Sequence, residues 1–305
     1  MGHDHAADLI EARRAGNKSR MWVALAINAV LMAATAVGGF LTDSLALLAD
    51  AGHLLSDVGA IVVGLVAARL AGIEPTPERS FGFKRTEILG ALANGLLLIA
   101  IAVVIAVQAI SRLSDPNDVA GGGVLILGAF GLVGNAAATL VLASGARADI
   151  NLEAILRHSA GDALSSLGVV VAGIVVVATG WNGIDPLVSL LIAALILAGS
   201  WHLLKEPFNV LMESTPAGVD ARRGGREMAA DPEVVEVHDL HIWTVTSGFP
   251  ALSAHLVVKP GSDRDLVRAR VESLVRDRFD IHHTTFQVVE STSSDLIAVE
   301  DVRRK

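Results

Sequence analysis

Residues 50–57 read DAGHLLSD, two carboxylates and a histidine set inside an apolar run that otherwise has the composition of a membrane-spanning helix. His53 and Asp57 are four positions apart, so on an α-helix they lie about 6 Å apart along the axis and roughly 40° apart around it. Such a pair presents two ligands to one point. A charge at the bilayer centre costs roughly 2.5–3.5 kcal/mol on insertion scales, and charges without a role are rare there. The same spacing returns in HSAGD, where His158 and Asp162 lead into a second long apolar run. Two half-sites of two ligands make a set of four.

Two imidazoles and two carboxylates suit a tetrahedral zinc ion, whereas magnesium and calcium prefer all-oxygen shells. With neutral histidines and ionised aspartates, the zinc-loaded set sums to zero charge. Without the ion the two carboxylates remain buried together, and taking up protons in the metal's place relieves that cost. The expected chemistry is exchange of a metal ion for protons.

Composition sets the class. The chain has 305 residues, 52% hydrophobic and only 18% charged, which is the balance of an integral membrane protein. It contains no cysteine, so disulfides and thiolate sites are excluded and any metal ligand is His, Asp or Glu. A net charge of −8 without a dense basic stripe sets nucleic acid aside as a partner. Neither a nucleotide-binding P-loop nor a nucleophile constellation is present, so the reading is not an enzyme and no organic cofactor is expected.

Six apolar segments, at approximately 21–41, 45–70, 88–110, 121–144, 150–179 and 186–204, are long enough to cross a core about 30 Å thick. An even number places both ends on one side. Arg13, Arg14, Lys18, Arg20, Arg69, Arg79, Lys84, Arg85 and Arg147 share that side, against Arg112 on the other, so both termini are expected in the cytoplasm. His53 and His158 then fall nine residues, about 13 Å, from opposite membrane edges. Both approach the midplane, where transporters built from repeated units bind their cargo. Asp50 reads either as an outer-shell or entrance carboxylate or as a group near the membrane surface, and Asn94, Gln108 and Asn135 as interhelical hydrogen-bonding groups.

The expected domains are a cytoplasmic tail over 1–20, a six-helix membrane domain over 21–207, a small cytoplasmic α+β domain over 208–291, and a C-terminal tail over 292–305. Within the third, the pattern predicts a helix at 217–230, strands at 234–246 and 251–258, a helix at 263–279 and a strand at 284–291, with the helices on one face of the sheet. This domain holds His238, His241, His255, His282 and His283, and His238 and His255 flank a hairpin. His202, at the end of the sixth span, reads as an interfacial side chain.

The stretches SLALLADAGHLLSD, FGFKRTEILGALANG, HSAGDALSSLGV, DPLVSLLIA and VHDLHIWTVTSG, in this order, resemble the cation diffusion facilitator family, in particular its zinc-transporting branch of the zinc/cadmium/cobalt efflux type. The resemblance implies that His53, Asp57, His158 and Asp162 form the transport site. It also implies a homodimer and a ferredoxin-like, metallochaperone-like cytosolic domain with its own metal ligands, by position His238, His255, His283 and Glu290. Zinc would be both cargo and regulator, divalent metals and protons the exchanged ions, and a bacterial cytoplasmic (inner) membrane the location. Zinc-transporting members often carry a histidine-rich loop between spans four and five, which this sequence lacks; His3 and His5 offer an alternative point of cytosolic capture. The expected function is a proton-coupled antiporter exporting zinc, with cadmium or cobalt as further cargo. A membrane-anchored metal sensor, a channel, or a member preferring iron or manganese are the competing readings; the spans lack the long continuous polar row of an open pore.

Overall fold

The computed structural model describes residues 4–143 and 152–291 of the chain. Six long helices come first: α1 (Asp4–Thr42), α2 (Leu45–Ala71), α3 (Thr86–Ser114), α4 (Gly121–Ala143), α5 (Leu152–Thr179) and α6 (Ile184–Leu211). All six contain a stretch long and apolar enough to cross a membrane. α1 extends back through residues expected to be a polar tail, where Ala6, Ala7, Leu9, Glu11, Ala12 and Arg13 are strong helix formers. The chain divides into two compact units, one comprising Met1–Gly72 and Leu89–Lys205, the other Ile73–Ile88 and Glu206–Lys305.

In the first unit the closest backbone approaches are α4 with α5, α1 with α2, and α1 with α4. Small residues permit this: a Cβ at Gly173 of α5 would stand 2.6 Å from the backbone nitrogen of Leu125 on α4. α3 and α6 pack instead through side chains, Leu98, Ala102 and Ile105 from α3 meeting Ile192, Ala193 and Ile196 from α6 in one buried cluster with Ala46 and Leu47 of α2. Phe40, Val107, Ile126 and Leu140 are exposed, a pattern suited to lipid and not to water. Asn94 donates to the Ser56 hydroxyl at 3.0 Å and Asn135 to the Ser166 hydroxyl at 3.0 Å, so both serve as the interhelical polar ties the sequence suggested.

The second unit carries α7 (Ala221–Ala229), β1 (Val234–Thr246), β2 (Phe249–Val258), α8 (Arg264–Phe279) and β3 (His283–Glu290). Asp220 and Asp263 cap the two helices by accepting from backbone N–H groups of their first turns. β1 and β2 form an antiparallel hairpin, and β3 adds parallel to β2 after the α8 crossover, giving the order β1-β2-β3. Val267, Val271 and Val275, four apart on α8, bury one stripe against Leu252, Ala254 and Leu256 of β2. Arg270 bridges Asp231 and Glu233, with Nε 2.8 Å from Asp231 Oδ2, and this guanidinium holds the Asp231 carboxyl below the usual carboxylate range.

Residues 73–88, between α2 and α3 in the chain, also belong to this second unit. The Glu87 carboxylate accepts from Thr246 Oγ1 at 2.8 Å and Ser247 Oγ at 2.9 Å, Lys84 Nζ sits 3.9 Å above the Phe249 ring, and Arg85 pairs with Glu213 at 3.2 Å. The turn of the β1–β2 hairpin is thus held by a segment that precedes it by some 160 positions.

Candidate metal centres

α2 and α5 carry the two half-sites. Ser44 N-caps α2, its hydroxyl accepting from the Leu47 N–H at 3.2 Å, and from there an uninterrupted helix carries His53 and Asp57. On α5, His158 stands one turn before Asp162; the His158 side chain lies outside the described residues. The half-sites meet: His53 Nε2 lies 2.7 Å from Asp162 Oδ1, a contact between residues 109 positions apart. His53, Asp57 and Asp162 each offer a ligand atom within 4.8 Å of the others. Asp162 is buried, and the His53 side chain keeps 22% of its surface accessible.

Asp50 is 1% exposed, so its carboxylate is enclosed by the protein. Its Oδ1 accepts from the Ser165 hydroxyl at 2.7 Å, so one turn from His53 on α2 and one turn from Asp162 on α5 a second polar contact joins the same two helices. Such a support holds ligand-bearing helices at a fixed separation.

The cytosolic histidines fall differently. His238 and His255 are cross-strand partners in the β1–β2 register, their rings 5.0 Å apart and edge to face. Asp239 joins them, its Oδ2 lying 3.2 Å from His238 Nδ1 and 3.5 Å from His255 Nδ1, and the three form a group of possible ligands. Strand alternation would send Asp239 to the face opposite His238. A bulge between His238 and His241, with Asp239 at φ +50°, turns it back. The sequence reading missed Asp239, and the one signal for it is the tolerance of aspartate for positive φ. His241 opens onto the same shallow cleft as Asp239, His255 and Gln287.

His283 and Glu290 do not join this group. β3 runs parallel to β2, so His283 pairs with Ala251 and Glu290 with Val258 at opposite ends of the strand. Seven residues of strand separate them by about 23 Å. Within one chain the expected set of His238, His255, His283 and Glu290 is therefore not gathered on one ion. The His283 ring instead stacks 5.7 Å from Phe81 and 5.5 Å from Phe249. His3, His5 and His202 lie, by side chain, outside the described residues.

A six-helix membrane unit with a His/Asp group between two of its helices has the form of a membrane transporter for metal cations, and comparison with known proteins agrees. The model of the cation efflux transmembrane domain matches residues 21–212, and that of the cation efflux protein cytoplasmic domain matches 226–290. The chain belongs to the cation efflux family. It is 37% identical over 290 residues to the zinc transporter ZitB of Pectobacterium atrosepticum, covering 94% of this chain and 89% of that one. It is 36% identical over 296 residues to the cadmium, cobalt and zinc/H(+)-K(+) antiporter of Bacillus subtilis, covering 94% and 92%. Among solved structures, the metal-bound C-terminal domain of the CzcD transporter from Cuprividus metallidurans is 35% identical and covers 23% of this chain and 99% of that one, with a TM-score of 0.23.

Proposed function

We propose that this protein is a proton-coupled antiporter that exports zinc, with cadmium and cobalt as further cargo, through His53, Asp57, His158 and Asp162. The observation that carries the reading is the 2.7 Å approach of His53 Nε2 to Asp162 Oδ1 across two helices, with Asp57 in the same group. The names of the relatives, a zinc transporter and a metal/proton antiporter, support the cargo and the coupling.

The coupling follows from the same contact. Two acceptor atoms 2.7 Å apart require a proton between them. An ion that uses both atoms as ligands displaces that proton from the contact; displaced from the imidazolium form it leaves the site on loading and is regained on unloading, whereas in the neutral imidazole it would only move to Nδ1. The loaded site carries no net charge with both aspartates ionised, and protons replace part of the ion's charge on the return. Protons entering from the more acidic side thus expel the cargo.

The reading extends to a homodimer in a bacterial cytoplasmic membrane with both termini in the cytoplasm, and to a second, regulatory zinc site in the soluble unit. We place that site on His238, Asp239 and His255, with any contribution from His283 or Glu290 coming from the other copy. Sensor and channel readings leave the intramembrane group dispensable or the flux indifferent to protons. Proteoliposomes containing a zinc-sensitive dye decide between them: zinc entry should be driven by an imposed pH gradient, and zinc flux should move protons. Zinc flux indifferent to the gradient and without proton movement overturns the antiport mechanism.

A further inference from the structure

Asp185 begins α6 and is 0% exposed, yet it contributes nothing to either metal group. Its carboxylate reaches across to the start of α2: Oδ1 accepts from the Ser44 hydroxyl at 2.5 Å, Oδ2 from the Leu45 N–H at 2.7 Å, and Oδ1 again from the Ala46 N–H at 3.4 Å. A helix start has backbone N–H groups without intrahelical partners and the positive end of the helix dipole, so a carboxylate from another helix is held there by both hydrogen bonds and charge. Ser189 secures the same turn of α6 from within, its hydroxyl donating to the Asp185 carbonyl at 2.6 Å.

The tie adds directed bonds to helices that otherwise meet through apolar packing, Ala46 and Leu47 of α2 against Ile192, Ala193 and Ile196 of α6. α1, α2, α4 and α5 are linked by extensive close backbone approaches, and α6 takes no part in such extensive pairings among the described residues. Elsewhere α6 meets its neighbours through apolar side chains such as Ile192, Ala193, Ile196 and Leu204, which slide over one another without breaking directed bonds. A helix held by directed bonds at one end and by apolar contacts along the rest can swing but not detach.

We propose that Asp185 is a positioning residue for transport: it fixes the start of α6 to the start of α2 as the pivot about which the two helices move while the ion site changes its access. His53 lies nine residues from Ser44, about 13 Å down α2, and the far end of α2 about 40 Å. Displacement about a fixed point grows with distance from it. The site therefore undergoes a small movement and the far ends of α2 and α6 a larger one, so access changes mainly at the end remote from Asp185.

This inference rests on the transport reading, and unaltered protein in the same vesicles tests that reading separately. In Asp185→Asn the amide keeps one acceptor oxygen and turns an NH2 donor toward either the Leu45 or the Ala46 N–H, and with the lost negative charge this weakens the tie. Turnover of zinc should fall at least tenfold, while the zinc dissociation constant of the purified full-length variant stays within twofold. Unchanged turnover, or a loss confined to affinity, overturns the proposal. Because the natural chain has no cysteine, a Ser44→Cys/Asp185→Cys pair gives a second and independent measure. The disulfide should form in high yield, and the oxidised protein should turn over at least fivefold faster than its reduced form, since a pivot remains closed throughout the cycle. Failure to cross-link, equal rates in the two forms, or arrest on oxidation each overturns the pivot, and this pair decides the matter should Asp185→Asn not fold.

Discussion

The intramembrane group of His53, Asp57 and Asp162 and the soluble group of His238, Asp239 and His255 use the same two side-chain types and are built on opposite principles. The first draws residues 109 positions apart onto two helices and buries them; the second uses neighbours on a hairpin, whose His238 and His255 side chains are 42% and 39% exposed. In the proposed mechanism the buried group strips the ion of water and gives it up when protons arrive. The exposed group, in the same proposal, exchanges freely with the surrounding solution and reports its metal level. The comparison teaches that ligand chemistry alone does not separate a transport site from a sensing site; burial and the number of elements that must converge do.

The largest effect should come from the buried group. Asp162→Ala or Asp57→Ala removes a ligand and alters the charge balance, and zinc flux in proteoliposomes should fall by about 100-fold or more, beyond what loss of a supporting residue costs. Flux within a few-fold of normal in either variant would remove that residue from the site. A smaller change is expected for His53→Asp, because imidazole favours zinc over manganese. Competition assays should show the zinc-to-manganese preference reduced on the order of tenfold. An unchanged ratio would mean that His53 is not a ligand.

The exposed group should respond more gently. Asp239→Ala should raise the zinc concentration for half-maximal flux by roughly three- to tenfold and leave the flux at saturating zinc unchanged. A fall at saturation would place Asp239 in the transport cycle itself and erase the distinction between the two groups. The smallest effect concerns the frame of the soluble unit. Arg270→Ala should destabilise it by about 1 kcal/mol, since the Asp231 and Glu233 bridges are largely at the surface. Asp231 is held below the ordinary carboxylate range, so its contribution is full above a pH of about 4 and is lost as pH falls through the depressed value. Thermal melts of the full chain below pH 4 should show a shallower dependence on pH in the variant; parallel curves would assign the bridge no role.

The difference between the groups also explains what the sequence revealed. The grouping of His53, Asp57 and Asp162 was legible because a regular helix turns a spacing of four into a shared face, and because a charge in an apolar run stands out. The hairpin pairing of His238 with His255 was legible for a similar reason, since turn residues flanked by strand patterns fix which positions face each other. Asp239 was not, because a bulge overturns the alternation on which strand reading depends. His283 and Glu290 were grouped by family position, and the parallel register that holds them at opposite ends of β3 has no local sequence signal. The burial of Asp50 depends on its Ser165 partner on α5, 115 positions away, which no local pattern discloses.

The inclusion of residues 73–88 in the soluble unit has a consequence for biosynthesis. The hairpin that Glu87 grips through Thr246 and Ser247 does not exist when Glu87 leaves the ribosome. Glu87 and Ser247 are 160 positions apart, and translation at roughly 5–20 residues per second leaves the segment unclasped for on the order of 10–30 s. During that time α2 and α3 are joined by a loose connection, and the membrane helices are free to insert and sort their neighbours. Completion of the β1–β2 hairpin then closes the clasp, so a segment made later sets the geometry of a connection made well before it.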